Sequence, residues 1–148
     1  MRRTNIAASM LAAVLLAGCA GEAPEADTPQ EVGQPVVVEG GGEYREITVP
    51  ELQAMLADKD FPLINVHIPY AGDLPDTDDS IPFNEIERHL DRLPADKDAR
   101  IVLYCRTGPM SEISATSLAR LGYTNVYHLV GGFTAWIEWG LPMAEPES

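Results

Sequence analysis

Cysteine, positive charge and long apolar runs are all scarce in this 148-residue chain. Ten basic residues stand against 23 acidic ones, and the formal net charge is −13 at pH 7. An acidic field repels phosphate backbones, so we expect no nucleic-acid partner. No apolar run reaches the roughly 18 residues that a membrane-spanning helix needs. Two cysteines and three histidines form no cluster with metal-ligand spacing, which predicts neither a metal site nor another cofactor.

The N-terminal segment has the layout of a secretory signal peptide. Arg2 and Arg3 precede an apolar stretch that is followed by small residues. Its end, Leu-Ala-Gly-Cys, resembles the bacterial lipobox, in which the signal peptidase cuts before a cysteine that carries a diacylglycerol. We therefore predict a signal peptide over residues 1–18 and a lipid on Cys19, so that the protein contacts a membrane through this anchor only. An ordinary signal peptide with an incidental cysteine, or a buried core helix, is the alternative.

The lipobox also predicts a location. The mature protein is expected on the cell envelope, outside the cytoplasm. Ala20 is not the Asp that signals inner-membrane retention, which favours the periplasmic side of the outer membrane if the source is Gram-negative.

Composition divides the rest of the chain into a tether, a domain and a tail. Residues 19–43 are rich in Ala, Glu, Pro and Gly and lack aromatics, which predicts a flexible tether. Within it, PVVVE is the one part that could dock as an edge strand. We assign residues 44–143 to one folded domain and residues 144–148 to a disordered tail.

Strand and helix patterns alternate through the domain. Thr48 and Glu51 form a capping box before an amphipathic helix. Further helices are predicted over 84–93, with Ile86, Leu90 and Leu93 inward; over 111–122, with Ile113, Leu118 and Leu121 inward; and after the glycine turn at 131–132. Strands are predicted at 44–47, 62–68, 81–83, 100–105 and 125–130. This alternation predicts an α/β fold with a parallel sheet.

Cys105 is the only cysteine left once Cys19 is acylated. It therefore lacks an intramolecular disulfide partner, and it is either a reactive thiol or a buried inert one. It ends the apolar run RIVLYC and directly precedes a helix, at the carboxyl end of a strand, where open α/β sheets form their sites. Loop amides and a helix N-terminus converge there and stabilise anions and thiolates. These features predict a nucleophilic cysteine that handles an anion.

The residues that follow this cysteine each have two interpretations. Arg106 adds a positive charge beside the nucleophile, or it pairs with surface carboxylates. Gly108 permits a positive φ in a tight loop, with or without catalysis. Thr107 and Ser111 serve as ligands or as helix caps.

Two stretches of the chain resemble the rhodanese family. YCRTGPMS resembles its active-site loop, and LGYTNVYHLVGGFTAWIEWGLP resembles its closing segment. ITVPELQAML and LINV match the opening helix and second strand, so the resemblance covers about residues 45 to 143. It implies a sheet of about five parallel strands flanked by helices on both faces.

The resemblance also implies sulfur transfer. Cys105 would take a sulfane sulfur from a small sulfur-containing anion or a persulfide donor (thiosulfate, polysulfide or persulfide), hold it as a persulfide and pass it to a thiophilic acceptor. That acceptor would be a thiol, a cyanide-like molecule or a partner protein's thiol. The implied substrate-binding residues are Arg106, Thr107, Gly108, Pro109, Met110, Ser111 and His67.

Several positions depart from the family pattern. Asn65 and His67 replace a common Asp and Arg, which predicts a neutral hydrogen-bonded pair in place of an ion pair. His67 is expected near the Cys105 loop, where it touches substrate or only caps the strand. Pro109 removes one loop N–H, and Met110 stands where many members carry a second Arg. These changes, and the acidic stretch from Asp73 to Thr77, question thiosulfate as donor more than they question persulfide chemistry.

Two other classes are alternatives to a sulfurtransferase. A non-catalytic interaction module of the same fold is disfavoured because such modules commonly lose the cysteine. Phosphatases and arsenate reductases of this fold carry Cys-x5-Arg, and here the matching position is Ser111. Metal binding is disfavoured because no His or Cys cluster has ligand spacing, and His89 and His128 have no catalytic context in the sequence.

Overall fold

The structure, a computed structural model, describes residues 31–146, which form one six-stranded sheet. The predicted signal peptide, Cys19, the first part of the predicted tether and residues 147–148 lie outside the described residues. In spatial order the strands run β1-β2-β6-β5-β3-β4, and all pairs are parallel except the β1–β2 pair. The strands are β1 Gln34–Val37, β2 Glu43–Ile47, β3 Leu63–Asn65, β4 Asp79–Ser80, β5 Ile101–Tyr104 and β6 Val126–Leu129. The predicted five-stranded parallel sheet is confirmed, with one antiparallel edge strand added.

The added strand comes from PVVVE, so the prediction that this stretch docks at an edge is confirmed. It pairs with β2 in a register that sets Val36 opposite Tyr44. Val38 follows the strand and is buried. These residues lie in the stretch predicted as a tether, and the pairing places them in the sheet.

Three helices flank the sheet: α1 Val49–Leu56, α2 Pro109–Arg120 and α3 Gly132–Glu138. The predicted capping box begins α1, where the Thr48 N–H donates to Glu51 Oε2 at 2.7 Å. None of the helices within residues 31–146 is long and apolar enough to cross a membrane.

The core has two halves, one on each face of the sheet. On one face, Ala115 and Leu118 of α2 pack with Ile101 and Leu103 of β5. On the other, residues of α1 and α3 pack with the alternate residues of β5, and the set includes Leu52, Phe133, Trp136, Val102 and Tyr104. Every residue of β5 is buried, as predicted for a strand covered on both sides.

The inward face of α2 differs from the predicted one. Ile113 and Leu121 are 50% and 36% exposed, and of the three predicted residues only Leu118 is buried. The helix begins at Pro109, and its buried face is made by Ser111, Ser114, Ala115, Leu118 and Ala119. Small side chains on this face allow the helix to lie close to the sheet, and Ile113 therefore points away from it.

Two other predicted elements are also corrected. The 84–93 helix is instead two 3₁₀ turns, Ile86–Arg88 and Leu90–Arg92, because His89 between them has φ −119° and ψ 33°, outside the α region. The short strand predicted at 81–83 lies at Asp79–Ser80. Pro82 has no N–H to donate, although the N–H groups of Ile81 and Phe83 donate to the carbonyl oxygens of Asn65, at the end of β3, and Val66.

Candidate active site

Cys105 lies at the carboxyl end of β5 and is 1% exposed. Its Sγ accepts a hydrogen bond from the Gly108 N–H at 3.0 Å. The hydroxyl of Ser111, in the first turn of α2, lies 3.7 Å from the same sulfur. Gly108 reaches this position with φ 118°, a conformation that favours glycine. The chain thus folds back on itself directly after β5, and a backbone N–H points at the sulfur.

The start of α3 forms hydrogen bonds with the backbone of this loop. The N–H groups of Phe133 and Thr134 donate to the carbonyl oxygens of Cys105 and Arg106, both at 3.0 Å. A Cβ at Gly132 would lie 2.2 Å from the Cys105 oxygen, so only glycine allows this approach. The Gly-Gly pair, interpreted from the sequence as a turn, is therefore also a support of the site.

The remaining loop residues face outward. Arg106, Thr107 and Pro109 are exposed, and Met110 packs partly against the core. Within residues 31–146 the Arg106 side chain forms no salt bridge, so its charge is available at the rim of the site. The alternative of a partner among surface carboxylates finds no support in the described part of the chain.

His67 lies at the same rim, half-buried, with its ring 5.7 Å from that of Phe133 in an edge-on arrangement. Burial and, secondarily, the positive charge of Arg106 lower the pKa of His67 from its ordinary 6.5. The ring is therefore neutral near pH 7 and adds no second cation beside Arg106.

Asn65 is buried, and it pairs with His67 only through the backbone. Its Oδ1 accepts the His67 N–H at 3.0 Å, and its Nδ2 donates to Gly72 O at 3.0 Å and to Asp73 Oδ1 at 2.9 Å. The predicted pair of side chains is thus absent among these residues. Asn65 is instead linked to a carboxylate, that of Asp73, eight positions further along the chain.

Asp73 is the centre of a polar network under the loop after β3. The hydroxyls of Tyr104 and Tyr70 donate to its two oxygens at 3.1 and 2.8 Å. Tyr104 Oη also accepts the buried Leu74 N–H at 3.0 Å. Burial is the main reason why the pKa of Tyr104 is raised, so the hydroxyl remains a donor at any ordinary pH.

One histidine lies closer to the site than its sequence context indicated. His128 is 3% exposed, and its Nδ1 lies 3.0 Å from Ser111 Oγ. Strand β6 sets His128 opposite Leu103, which precedes Cys105 by two residues. Parallel pairing of the last two predicted strands was the signal that could have found it. His89, by contrast, lies 3.6 Å from Glu85 on a 3₁₀ turn.

The fold and the site together define an α/β domain with a buried thiol in a strand-to-helix loop that can bind an anion. Residues 48–138 match the rhodanese-like domain, and the chain belongs to that family. Within residues 31–146, no group of three or more His, Cys, Asp or Glu side chains could hold a metal ion.

Relatives and solved structures agree with this family. A sulfurtransferase from Allochromatium vinosum is 35% identical over 106 residues, 69% of this chain and 96% of that protein. A thiosulfate sulfurtransferase from Actinobacillus succinogenes is 44% identical over 48 residues, which are 32% of this chain and 43% of that protein. The structure of a rhodanese-related protein from Thermoplasma volcanium has a TM-score of 0.59 at 26% identity, covering 68% of this chain and 98% of that one. These similarities support sulfur transfer in general, from a sulfur donor to a thiol acceptor.

Proposed function

We infer that this protein is a membrane-anchored sulfurtransferase that carries a sulfane sulfur as a persulfide on Cys105. The observation that carries this proposal is the Gly108 N–H directed at Sγ from 3.0 Å, with the Ser111 hydroxyl at 3.7 Å. Preorganised donors of this kind stabilise negative charge on sulfur before and during the reaction. The positive φ of Gly108, 118°, is what turns this amide toward the sulfur.

The reaction has two displacements. The Cys105 thiolate attacks the sulfane sulfur of the donor, the donor's S–S bond breaks, and its electron pair leaves with the sulfite or thiolate product. The thiolate of the acceptor then attacks the outer sulfur of the persulfide. The bond between the two sulfurs breaks, and its electron pair returns to Cys105 Sγ as a thiolate.

Donor binding is assigned to the rim of the site. Arg106 faces solvent there and can bind the anionic end of thiosulfate or a polysulfide. His67, the exposed residues Thr107 and Pro109, and the partly buried Met110 complete the surface that a donor meets, and the remaining residues, Gly108 and Ser111, face the sulfur.

The anchor is proposed on sequence grounds alone. A lipid on Cys19 would hold the domain on the cell envelope, on the periplasmic side of the outer membrane in a Gram-negative cell. Cys19→Ala should release the protein from the membrane fraction or leave it unprocessed. An unmodified Cys19 in a protein that stays with the membrane would contradict the anchor.

Mass spectrometry tests the persulfide. The Cys19→Ala variant has Cys105 as its sole cysteine, so any sulfur that it gains as a persulfide is attached to Cys105. After exposure to thiosulfate, a polysulfide or a low-molecular-weight persulfide, the intact protein should gain the mass of one sulfur atom and lose it again on addition of an acceptor thiol. If none of these donors adds sulfur, the domain is a non-catalytic interaction module.

A further inference from the structure

A line of polar groups leads from the nucleophile along one face of the sheet to β2; Ser111 and His128 are buried and Glu46 is partly exposed. Ser111 Oγ lies 3.7 Å from Cys105 Sγ and 3.0 Å from His128 Nδ1, and its hydroxyl also has the Gly108 carbonyl oxygen as an acceptor at 2.9 Å. On the other side of the ring, His128 Nε2 lies 3.6 Å from Glu46 Oε1. Adjacent parallel strands set Glu46 opposite His128, so the whole line rests on β2, β6 and the first turn of α2.

Burial of the His128 ring destabilises the fold, because one of its nitrogen atoms has no hydrogen-bond partner among the described residues. Ser111 is 0% exposed and His128 is 3% exposed. His128 Nε2 is buried and has no hydrogen-bond partner within residues 31–146, since its distance to Glu46 is too long for one. An apolar side chain would fill this space without leaving a polar atom unpaired. A protonated ring, in contrast, would have a carboxylate in front of Nε2.

Burial favours the neutral form of His128, and two nearby carboxylates favour the protonated form. Burial lowers the pKa of His128 from its ordinary 6.5, while Glu46 on β2 and Glu112 on α2 act in the opposite direction. The Tyr44 ring packs edge-on at 5.6 Å, and burial is the main reason why the pKa of that phenol is raised, so it stays uncharged.

We propose that His128 takes up the Cys105 thiol proton through the hydroxyl of Ser111 and thereby generates the attacking thiolate. The proton on Sγ moves to Ser111 Oγ as the hydroxyl proton of Ser111 moves to His128 Nδ1. The step requires that the neutral ring carries its proton on Nε2, where that proton stays and faces Glu46. No electrons are exchanged, and the products are a thiolate and an imidazolium, which makes His128 a positioning residue that also stores the proton.

The same groups then stabilise the negative charge on the sulfur by hydrogen bonding. Once Nδ1 carries a proton, it donates to Ser111 Oγ, and the serine hydroxyl turns from the Gly108 carbonyl oxygen at 2.9 Å to donate to the charged sulfur at 3.7 Å. This second donor compensates for the N–H that Pro109 removes from the loop. The inference rests on the proposed persulfide chemistry of Cys105 for its purpose, although proton transfer from the thiol can be measured without any sulfur donor.

The pH dependence of Cys105 alkylation tests the proposal. The full-length Cys19→Ala protein is treated with iodoacetamide between pH 5 and about pH 10, a range that covers the ordinary histidine and thiol titrations. His128→Asn keeps a hydrogen-bonding atom near Ser111 but takes up no proton. We expect it to react roughly 10- to 100-fold more slowly at pH 7, with the gap closing at alkaline pH where solvent removes the proton. His89→Asn, at the 3₁₀ turn, is the matched control and should keep the parent profile.

Two results would overturn the relay. One is an unchanged alkylation rate at pH 7 in His128→Asn; the other is a loss of rate by the same factor at every pH, which indicates a structural role only. If His128→Asn does not fold, nitrogen NMR of the histidine rings decides, because the His128 imidazolium should persist to higher pH with Cys105 than in Cys105→Ser. Identical titrations would then refute the proposal. Failure to gain sulfur with a normal pH profile would instead refute the proposed function and leave the relay intact.

Discussion

The loop after β5 and the loop after β3 leave the same edge of the sheet but use their polar groups differently. The first, residues 105–108, is short and turns its own backbone toward one sulfur atom. The second, residues 66–78, is longer and carries Asp73, Asp76 and Asp78. Both are held in place by buried hydrogen bonds, yet only the first directs its groups at a nucleophile.

In the longer loop, two carboxylates form hydrogen bonds and an ion pair that stabilise the loop conformation. Asp73 receives hydrogen bonds from Asn65, Tyr70 and Tyr104. Asp78 accepts the Leu63 N–H at 2.8 Å and pairs with Lys59. Of the three carboxylates in this loop, Asp73 and Asp78 are thus engaged with partners inside the domain, and Asp78 alone pairs with a cation, while Asp76 is exposed.

In the shorter loop, the positive charge has no ion-pair partner among the described residues, and a backbone N–H group contacts the sulfur. Arg106 is exposed at the rim, while Gly108 directs its N–H inward to Sγ. At this edge the acidic groups of the longer loop are bound by neighbouring side chains, whereas the Arg106 cation has no ion-pair partner among the described residues. Removal of single groups from the two loops and from Tyr104 beside them tests this comparison.

The largest effect is expected at the nucleophile. Cys105→Ser should abolish transfer of sulfane sulfur, because a hydroxyl fits the space but stays protonated and carries no sulfur. The measurement is turnover of thiosulfate, polysulfide and persulfide donors, with circular dichroism to show that the fold is retained. Substantial transfer by this variant would refute the persulfide mechanism.

Arg106→Ala should have the next largest effect, and only on anionic donors. Loss of one charge-assisted hydrogen bond corresponds to about a 10- to 150-fold higher apparent KM for thiosulfate. An uncharged sulfane donor serves as the control and should show little change. Equal losses for both donors would mean that the side chain supports the loop and does not bind the anion.

Much of this edge of the sheet could be predicted from the sequence, because its strands are apolar and its helices carry local signals. The capping box of Thr48 and Glu51 and the buried run that ends in Cys105 each act over a few residues. The inward face of α2 could not be predicted from apolar residues, since it is lined with Ser111, Ser114 and Ala115. Hydrophobic periodicity indicates a face only when that face is apolar.

His128 and Asp73 escaped prediction for a different reason. Their partners are distant in sequence: Ser111 lies 17 residues from His128, and Tyr104 lies 31 residues from Asp73. Such contacts depend on strand order and register, and a parallel sheet acquires these only when the whole chain folds. Family patterns did not help either, because both residues stand where this chain departs from the pattern or where the pattern is silent.

Tyr104→Phe tests the structural role of the longer loop. The change leaves the buried Leu74 N–H without an acceptor and Asp73 with one donor fewer. The free energy of unfolding should fall by about 1–3 kcal/mol, measured by urea denaturation. Tyr70→Phe is the matched control: this tyrosine also bonds to Asp73 but is 65% exposed, so its loss should cost no more than about 0.5 kcal/mol. Equal costs would mean that burial does not separate the two hydroxyls.

The smallest expected effect connects the two loops through His67, which follows β3 but faces the charge of Arg106. That charge disfavours the imidazolium, and its removal should therefore raise the pKa of His67 in Arg106→Ala. Burial is the larger cause and stays in place, so the pKa should move toward its ordinary 6.5 without reaching it. A proton NMR titration of the histidine rings measures the shift, and His89, beside Glu85, is the internal control that should not move. An unchanged His67 pKa in Arg106→Ala would mean that the Arg106 cation points away from the loop after β3. The site would then bind its donor without a contribution from that loop.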